Sequence, residues 1–537
     1  MIKDNEKVVI VGAGMAGLTA AAYLARKNYK VLLIEKNNRC GGLLHTFENA
    51  GFFFDSGPRA FVNSGIVKPM LKDLGIDWEF IRNKISIGVE DQLLRINSMD
   101  SLHEYKQILA GLYPDRINDI DKITSVILQI SEYTRVLYEF DNPNFVDLMS
   151  DRNYIFRKLI PWTIKFLFAL RKLNQFSMPM EEFLSRLTDS QSLIDIMTQF
   201  FFRKTPTNFA LGYFYVYLDY FYPKGGTAAL PDLLKEKILE WGGEIKLNTK
   251  IAKVDPASSR VVDTNGNHYK YDHMIWAADL KTLYRSTDLA GLDEKTTSKI
   301  TTETSRILSS KGAESVFILF AAVDRPPSYF QRKGGEHMFY SPSRKGLREI
   351  SREARTRLLL NFDNYSKEEI LAWLDGFINF NTYEVSIPAL RDPAMAPEGK
   401  TGLMISCLFD FEIFDRIKKA GWHDEFKKHF EDRLISVFSQ TVYQGIEEDI
   451  LFKFSSTPLT IREVAGSSEG AITGWSFESE IPVVNKLKYI PKSVLTPIPG
   501  VYKAGQWAYA PAGVPIAMYT GWYAYQEIMK KSKKIKK

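Results

Sequence analysis

The feature that most constrains this chain is Gly12-Ala13-Gly14-Met15-Ala16-Gly17, a G-x-G-x-x-G turn set between a strand and a helix. Before it, Val8-Val9-Ile10-Val11 is a short continuous apolar run, as a buried parallel strand would be. After it, Leu18 to Lys27 is an alanine-rich helix, and Val31-Leu32-Leu33-Ile34 is a second strand ending at Glu35. In this context Gly12 permits the tight turn, Gly14 lets backbone approach a pyrophosphate, and Gly17 lets helix and strand pack closely. The helix N-terminus offers unpaired N–H groups and a positive end to phosphates. Glu35, 18 residues beyond Gly17, is placed to accept from ribose hydroxyls, and its charge disfavours a 2′-phosphate. A chain that begins this way is expected to build an α/β fold and to bind a dinucleotide other than NADP.

Further along, the periodicity changes several times. A hairpin is expected from Leu43–Phe47 through Glu48–Gly51 to Phe52–Asp55. Residues from about 85 to 220 read as mostly helical. After Tyr222-Pro223-Lys224-Gly225-Gly226 comes a helix to Trp241, stopped by Gly242-Gly243, then a hairpin at Asn265-Gly266 and a buried strand from Met274 to Ala278. Residues 300 to 485 mix strands such as Val316–Val323 with helices such as Asp424–Phe438, and the last 40 residues return to strand, loop and helix. With 537 residues, the chain allows about three to four domain-sized units or one large discontinuous pair.

Two cysteines, Cys40 and Cys407, exclude a disulfide framework and a multi-cysteine zinc site, and point to a reducing, cytosolic setting. There is no H-E-x-x-H, C-x-x-C or G-x-S-x-G motif, no metal site is expected, and His423 and His429 fall on different faces of one helix. No second G-x-G-x-x-G occurs, so electrons are expected to pass to or from O2, a quinone, another reductant or the substrate rather than a nicotinamide. No polar catalytic cluster is visible in the sequence.

The net charge of +6 is local. Arg152 to Met180 holds six basic residues and no acid, and Lys530 to Lys537 holds six lysines, which leaves 6 − 12 = −6 for the rest. This pattern points to an acidic surface touched at two places and not to nucleic acid. Between Arg152 and Gln175, the residues Ile155, Leu159, Trp162, Phe166, Leu170 and Leu173 recur at helical spacing beside Lys158, Lys165 and Lys172. Such a helix is expected to lie in the interface of an anionic membrane, on its inner face, with Trp162 and Phe166 inserted. Tyr213 to Tyr222 has seven aromatics in ten positions, which suit either a lipid channel or core packing.

Past the ribose acid, Arg39-Cys40-Gly41-Gly42 offers a second phosphate-facing turn, which suits FAD. The stretch resembles the R-x-G-G motif of flavin amine oxidases and phytoene desaturases. Asp55-Ser56-Gly57-Pro58-Arg59 resembles the segment that runs past the isoalloxazine in those families. Tyr222 to Gly226, Gly242 to Ile245 and Ile251 to Val254 resemble their second FAD block, and Ala504-Gly505-Gln506 with Gly513-Val514-Pro515 resembles the C-terminal one. In the latter a helix N-terminus faces the flavin and favours its reduced, anionic form. The blocks run in family order across the chain and are most similar to the phytoene desaturase-related group of carotenoid desaturases, carotene isomerases and retinol saturases. The chain departs from the pattern at Gln506, where an Asp is common, and at Arg59.

The resemblance implies a glutathione-reductase-type Rossmann FAD-binding domain (1–85, 222–285 and 490–537) with a mixed α/β substrate domain and a helical subdomain (86–221 and 286–489). It places FAD against Gly12, Gly14, Ala16, Gly17, Glu35, Lys36, Arg39, Gly41, Gly42, Leu43, Gly57, Pro58, Arg59, Ile251, Ala277, Gly505, Gln506, Gly513, Val514 and Pro515. Arg59 is the catalytic candidate. Its charge could favour reduced flavin, or it could hold the pyrophosphate or an internal carboxylate. The implied activity is FAD-dependent desaturation, saturation or isomerisation of carbon–carbon bonds in an isoprenoid or carotenoid-like lipid. The alternatives are a flavin amine oxidase, against which stands Gly513 where a cage tyrosine is usual, and a prenyl-lipid escort without redox activity, like the GDP-dissociation inhibitors.

Overall fold

The computed structural model describes residues 6–138, 140–145, 155–347, 350 and 352–534. Two sheets organise it. The first is five-stranded and wholly parallel, in the order Glu244–Lys246, Lys30–Ile34, Lys7–Val11, His273–Trp276, Val501–Lys503. Its strands come from three distant stretches of chain. The helix Met15–Ala25 behind the first strand is buried at every position. Its small residues allow the C-terminal helix Val514–Lys534 to cross it closely: a side chain at Gly521 would meet the Ala16 carbonyl at 2.3 Å. The hairpin Arg260–Asp263 to His268–Lys270 forms across Asn265-Gly266.

The second sheet is seven-stranded, in the order Ile450–Ser456, Ser315–Val323, Thr401–Phe409, Tyr383–Ser386, His337–Ser341, Ile85–Val89, Gln92–Ile96. Ser315–Val323 is buried throughout because both its faces are covered. Phe317, Leu319 and Ala321 meet the helices Lys367–Phe380 and His423–Gln440, while Ile318 and Phe320 face the other way.

Three expectations are corrected. Residues 85–96 are a β-hairpin, so the helical part starts at Ser101, and a boundary at 85/86 would cut the strand Ile85–Val89. The early hairpin pairs Thr46–Asn49 with Phe52–Asp55 across Ala50-Gly51, both at positive φ, a two-residue turn that fits strand twist better than the four-residue loop.

The basic helix also differs from expectation. Residues 152–154 lie outside those described, and the helix proper is Ile160–Leu173. Trp162 faces inward. Its indole N–H donates to the Val136 carbonyl at 2.9 Å, and its ring stacks on Phe140 at 4.6 Å and meets Phe166 at 4.9 Å. The stripe expected to enter a membrane is the one that packs on the helix Ile117–Tyr138. A second apolar row, Phe156, Ile160, Ile164, Leu167 and Phe168, faces outward instead. At the lysine tail, Lys530 pairs with Glu527 one turn back on the same helix at 2.6 Å, and the Lys531 ammonium lies 5.0 Å from the Tyr502 ring centre; residues 535–537 lie outside those described.

Candidate active site

A cavity of about 410 Å³ runs between the two sheets. One end is polar, the backbone of Gly12, Gly14, Gly41 and Gly42 with the Glu35 carboxylate. The other is aromatic, with Phe200, Phe201, Phe209, Tyr213, Tyr220 and Phe339.

The polar end follows from the glycine turn. Gly12 has φ +101, and a side chain there would meet the Ala277 carbonyl at 2.7 Å. A side chain at Gly17 would come within 2.0 Å of the Gly12 carbonyl. Gly14 is different: a Cβ there would meet nothing within 4 Å. The Gly41 N–H donates to the Ala13 carbonyl at 2.8 Å, laying the second glycine turn beside the first. The buried Glu35 accepts from Ala13 N–H at 2.8 Å and Asn37 N–H at 3.0 Å while facing the cavity.

Of the residues expected at this site, the walls contain Gly12, Gly14, Ala16, Glu35, Gly41, Gly42, Leu43, Gly57, Pro58, Arg59, Ala277, Gly505, Gln506, Gly513 and Val514. Five others lie off the wall. Gly17 is the helix–strand contact. Lys36 turns away to donate to the Glu463 carbonyl at 2.6 Å. Arg39 is half-buried; burial lowers its pKa and the Glu35 charge opposes this. Ile251 sits in the core with Val9 and Ile34, and Pro515 is inside the C-terminal helix. Of the aromatics in Tyr213–Tyr222, Tyr213 and Tyr220 reach the cavity, while Tyr217 packs in the helical core and the Tyr222 hydroxyl donates to Asp55 at 2.8 Å.

The structure also assembles a polar network that the sequence does not display. Glu384 lines the cavity. Its Oε1 accepts from His337 Nε2 at 2.9 Å and its Oε2 from Ser406 Oγ at 3.3 Å. Behind His337, Asn83 Nδ2 donates to Nδ1 at 2.9 Å, and Arg391 Nη1 donates to Asn83 Oδ1 at 2.7 Å. That chain of donors puts the imidazole proton on Nε2. Burial would raise the Glu384 carboxyl, but the His337 hydrogen bond and the Arg59 charge outweigh it and hold the pKa well below the ordinary value. Burial lowers His337, with Arg391 and Arg59 adding to the effect against Glu384, so the pair is carboxylate and neutral imidazole. Arg59 is buried. One of its nitrogens donates to the Gly57 carbonyl, while Nε and Nη2 have no protein partner.

Among the described residues no group of three or more histidines, cysteines or acids could hold a metal. His423 pairs with Asp424 and His429 with Asp375. Cys40 packs on the first core, and burial pushes its thiol up to about 11.

Residues 15–376 match the family described as flavin containing amine oxidoreductase. The chain belongs to that family. A 4,4'-diapophytoene desaturase of Staphylococcus aureus is 22% identical over 552 aligned positions, covering 98% of this chain and 99% of that one. A 4,4'-diaponeurosporene oxygenase of Staphylococcus haemolyticus is 22% identical over 491 positions, covering 88% and 87%. A structure of a putrescine oxidase triple mutant superposes with a TM-score of 0.60 at 13% identity, covering 98% and 99%, and shares the fold.

This family member is an FAD-dependent oxidoreductase. The walls suit the cofactor: an open cradle over Gly14 at a helix N-terminus, a carboxylate at the second strand end, and two orphan guanidinium nitrogens on Arg59. The alternative of an escort without redox activity falls with the flavin assignment.

Proposed function

We propose that this flavoprotein oxidises carbon–carbon bonds of an isoprenoid, carotenoid-like lipid. The observation that carries the reading is the cavity itself, whose dinucleotide end continues into an aromatic pocket whose wall also carries Arg59 and Glu384. Relatives that align along nearly the whole chain and are named as desaturases support it. When bound, FAD supplies two-electron chemistry at carbon. The chain's part is to hold a flat apolar substrate between aromatic rings and exclude water. We assign FAD to the fifteen wall residues named above. Mass spectrometry of lipid that co-purifies with the protein tests the reading: a polyisoprenoid is expected, and a polar amine in its place would contradict it.

A second reading, amine oxidation, draws on the family's description and on Glu384, since a carboxylate among aromatic rings can pair with an ammonium. The guanidinium of Arg59 beside it offsets that charge, and Gly513 lies on the wall where a tyrosine would be needed.

We also propose that the outward row Phe156, Ile160, Ile164, Leu167 and Phe168 docks on an anionic membrane. Arg157, Lys165 and Arg171 lie exposed on the same helical segment, and no acid falls between 152 and 180. No helix among the described residues is long and apolar enough to cross a membrane. In liposome co-sedimentation the unaltered protein should pellet with anionic vesicles, less so as salt rises, whereas an Ile164→Ser/Leu167→Ser/Phe168→Ser variant should stay in solution. Equal pelleting would rule this face out.

A further inference from the structure

We infer that Glu384 is the base that takes a proton from the substrate as its new carbon–carbon double bond forms. This rests on the proposed reading that the reaction occurs at carbon–carbon bonds, and it names a group within that site.

Sheet register puts Glu384 there. Ile318 pairs with Ser406, Ser406 with Glu384, and Glu384 with Phe339, so four neighbouring strands present these side chains in one row, and all four line the cavity. Glu384 is the one charged member of that row. Its side chain keeps 27% of its surface open, although it lies deep in the protein, because the open part faces the cavity. Each carboxylate oxygen accepts one hydrogen bond from the protein, which leaves lone pairs free on both.

The chemistry needs such a group. Desaturation removes hydrogens from two adjacent carbons. One must leave with its bonding pair, and for that pair FAD, when bound, would supply the two-electron acceptor. The other departs as a proton, and the pair left behind becomes the π bond. Among the described residues the other carboxylates on the cavity wall are Glu35 and Asp279, both engaged by backbone N–H groups, which leaves Glu384 as the acceptor in the row beside Phe339. The proton passes to a Glu384 oxygen and leaves to solvent when product is released. A carboxylate there also stabilises positive charge developing on the substrate carbons.

The surroundings keep Glu384 in the basic form. Arg59 approaches from the segment after the early hairpin, and His337 from the adjacent strand with Asn83 and Arg391 behind it. Tyr213, Tyr217 and Tyr220, from the helical side, are held neutral because burial raises their pKa values. An ionised carboxylate can take a proton but has none to give. That state suits hydrogen removal, the direction of the proposed reading.

The test compares the FAD-loaded protein with Glu384→Gln, using 4,4'-diapophytoene in liposomes as the probe. Flavin content and substrate affinity, read by quenching of protein fluorescence, should be unchanged, while kcat should fall by about 100-fold or more. A companion His337→Phe variant loses the group that most lowers the Glu384 pKa, so burial then raises it. Activity requires the carboxylate, so the acidic limb of the kcat profile should lie at higher pH in that variant than in the unaltered protein. A Glu384→Gln protein with full turnover, a change confined to KM, or a His337→Phe acidic limb at the same pH as the unaltered one would overturn the inference. An unaltered protein that is inert to the polyene but reduced by amines would overturn the reading beneath it, and the inference with it.

Discussion

Gly14→Val should give a folded protein that holds no FAD. Gly14 caps the helix Met15–Ala25 with φ −75 and ψ 179, an extended conformation open to any residue. A Cβ there touches nothing within 4 Å, so folding loses no contact. The valine methyls would instead fill the space over the helix N-terminus where a pyrophosphate must approach. Circular dichroism should match the unaltered apoprotein, and FAD titration should show affinity lowered by about 100-fold or more, at least 2.7 kcal/mol on the usual conversion. Gly17→Val is the contrast. Its Cβ would lie 2.0 Å from the Gly12 carbonyl, so the helix cannot close on the strand and soluble protein should be lost. Unchanged FAD affinity in Gly14→Val would overturn the placement of the phosphates.

Asp55→Ala should be the most destabilising single change outside the glycine turn. Asp55 is fully buried and accepts four hydrogen bonds: from Thr46 Oγ1 at 2.7 Å, Tyr222 Oη at 2.8 Å, and Thr227 N–H and Oγ1, both at 2.9 Å. These tie the early hairpin to the loop after Tyr220–Pro223 and so seat the wall segment Ser56–Arg59. Alanine leaves those donors dry. At about 1–3 kcal/mol for each unsatisfied buried group, with the hydroxyls free to rotate toward other acceptors, the loss should be about 3–5 kcal/mol. Urea denaturation of the apoprotein measures it, and a shift below about 1 kcal/mol would mean that the site is not tied together through this carboxylate.

The parts that could be read from sequence share a physical character. The glycine turn, the strand before it and Glu35 lie within about thirty residues, and each has a local reason, so order along the chain is enough to place them. The buried strand Ser315–Val323 announces itself by an unbroken apolar run. The hairpin at 85–96 carried a signal too, the alternation of Ile85, Ile87 and Val89, which the helical character of its neighbours obscured.

Other parts depend on long-range placement. Asn83, His337, Glu384 and Arg391 are spread over three hundred residues and meet only through sheet register and the loop after Tyr383–Ser386. Nothing local marks them as a network. The helix Ile160–Leu173 is apolar on two sides, so periodicity finds a stripe without saying which one faces the protein. The Val136 carbonyl decides it by accepting from the Trp162 indole.

The measurement that bears most directly on the central claim is the absorbance of the FAD-loaded protein mixed without oxygen with 4,4'-diapophytoene in liposomes, and separately with a panel of simple amines. The polyene should bleach the flavin band while its own absorption moves to longer wavelength as conjugation extends, and the amines should leave the flavin oxidised. Bleaching by an amine with no change on adding polyene would contradict that claim.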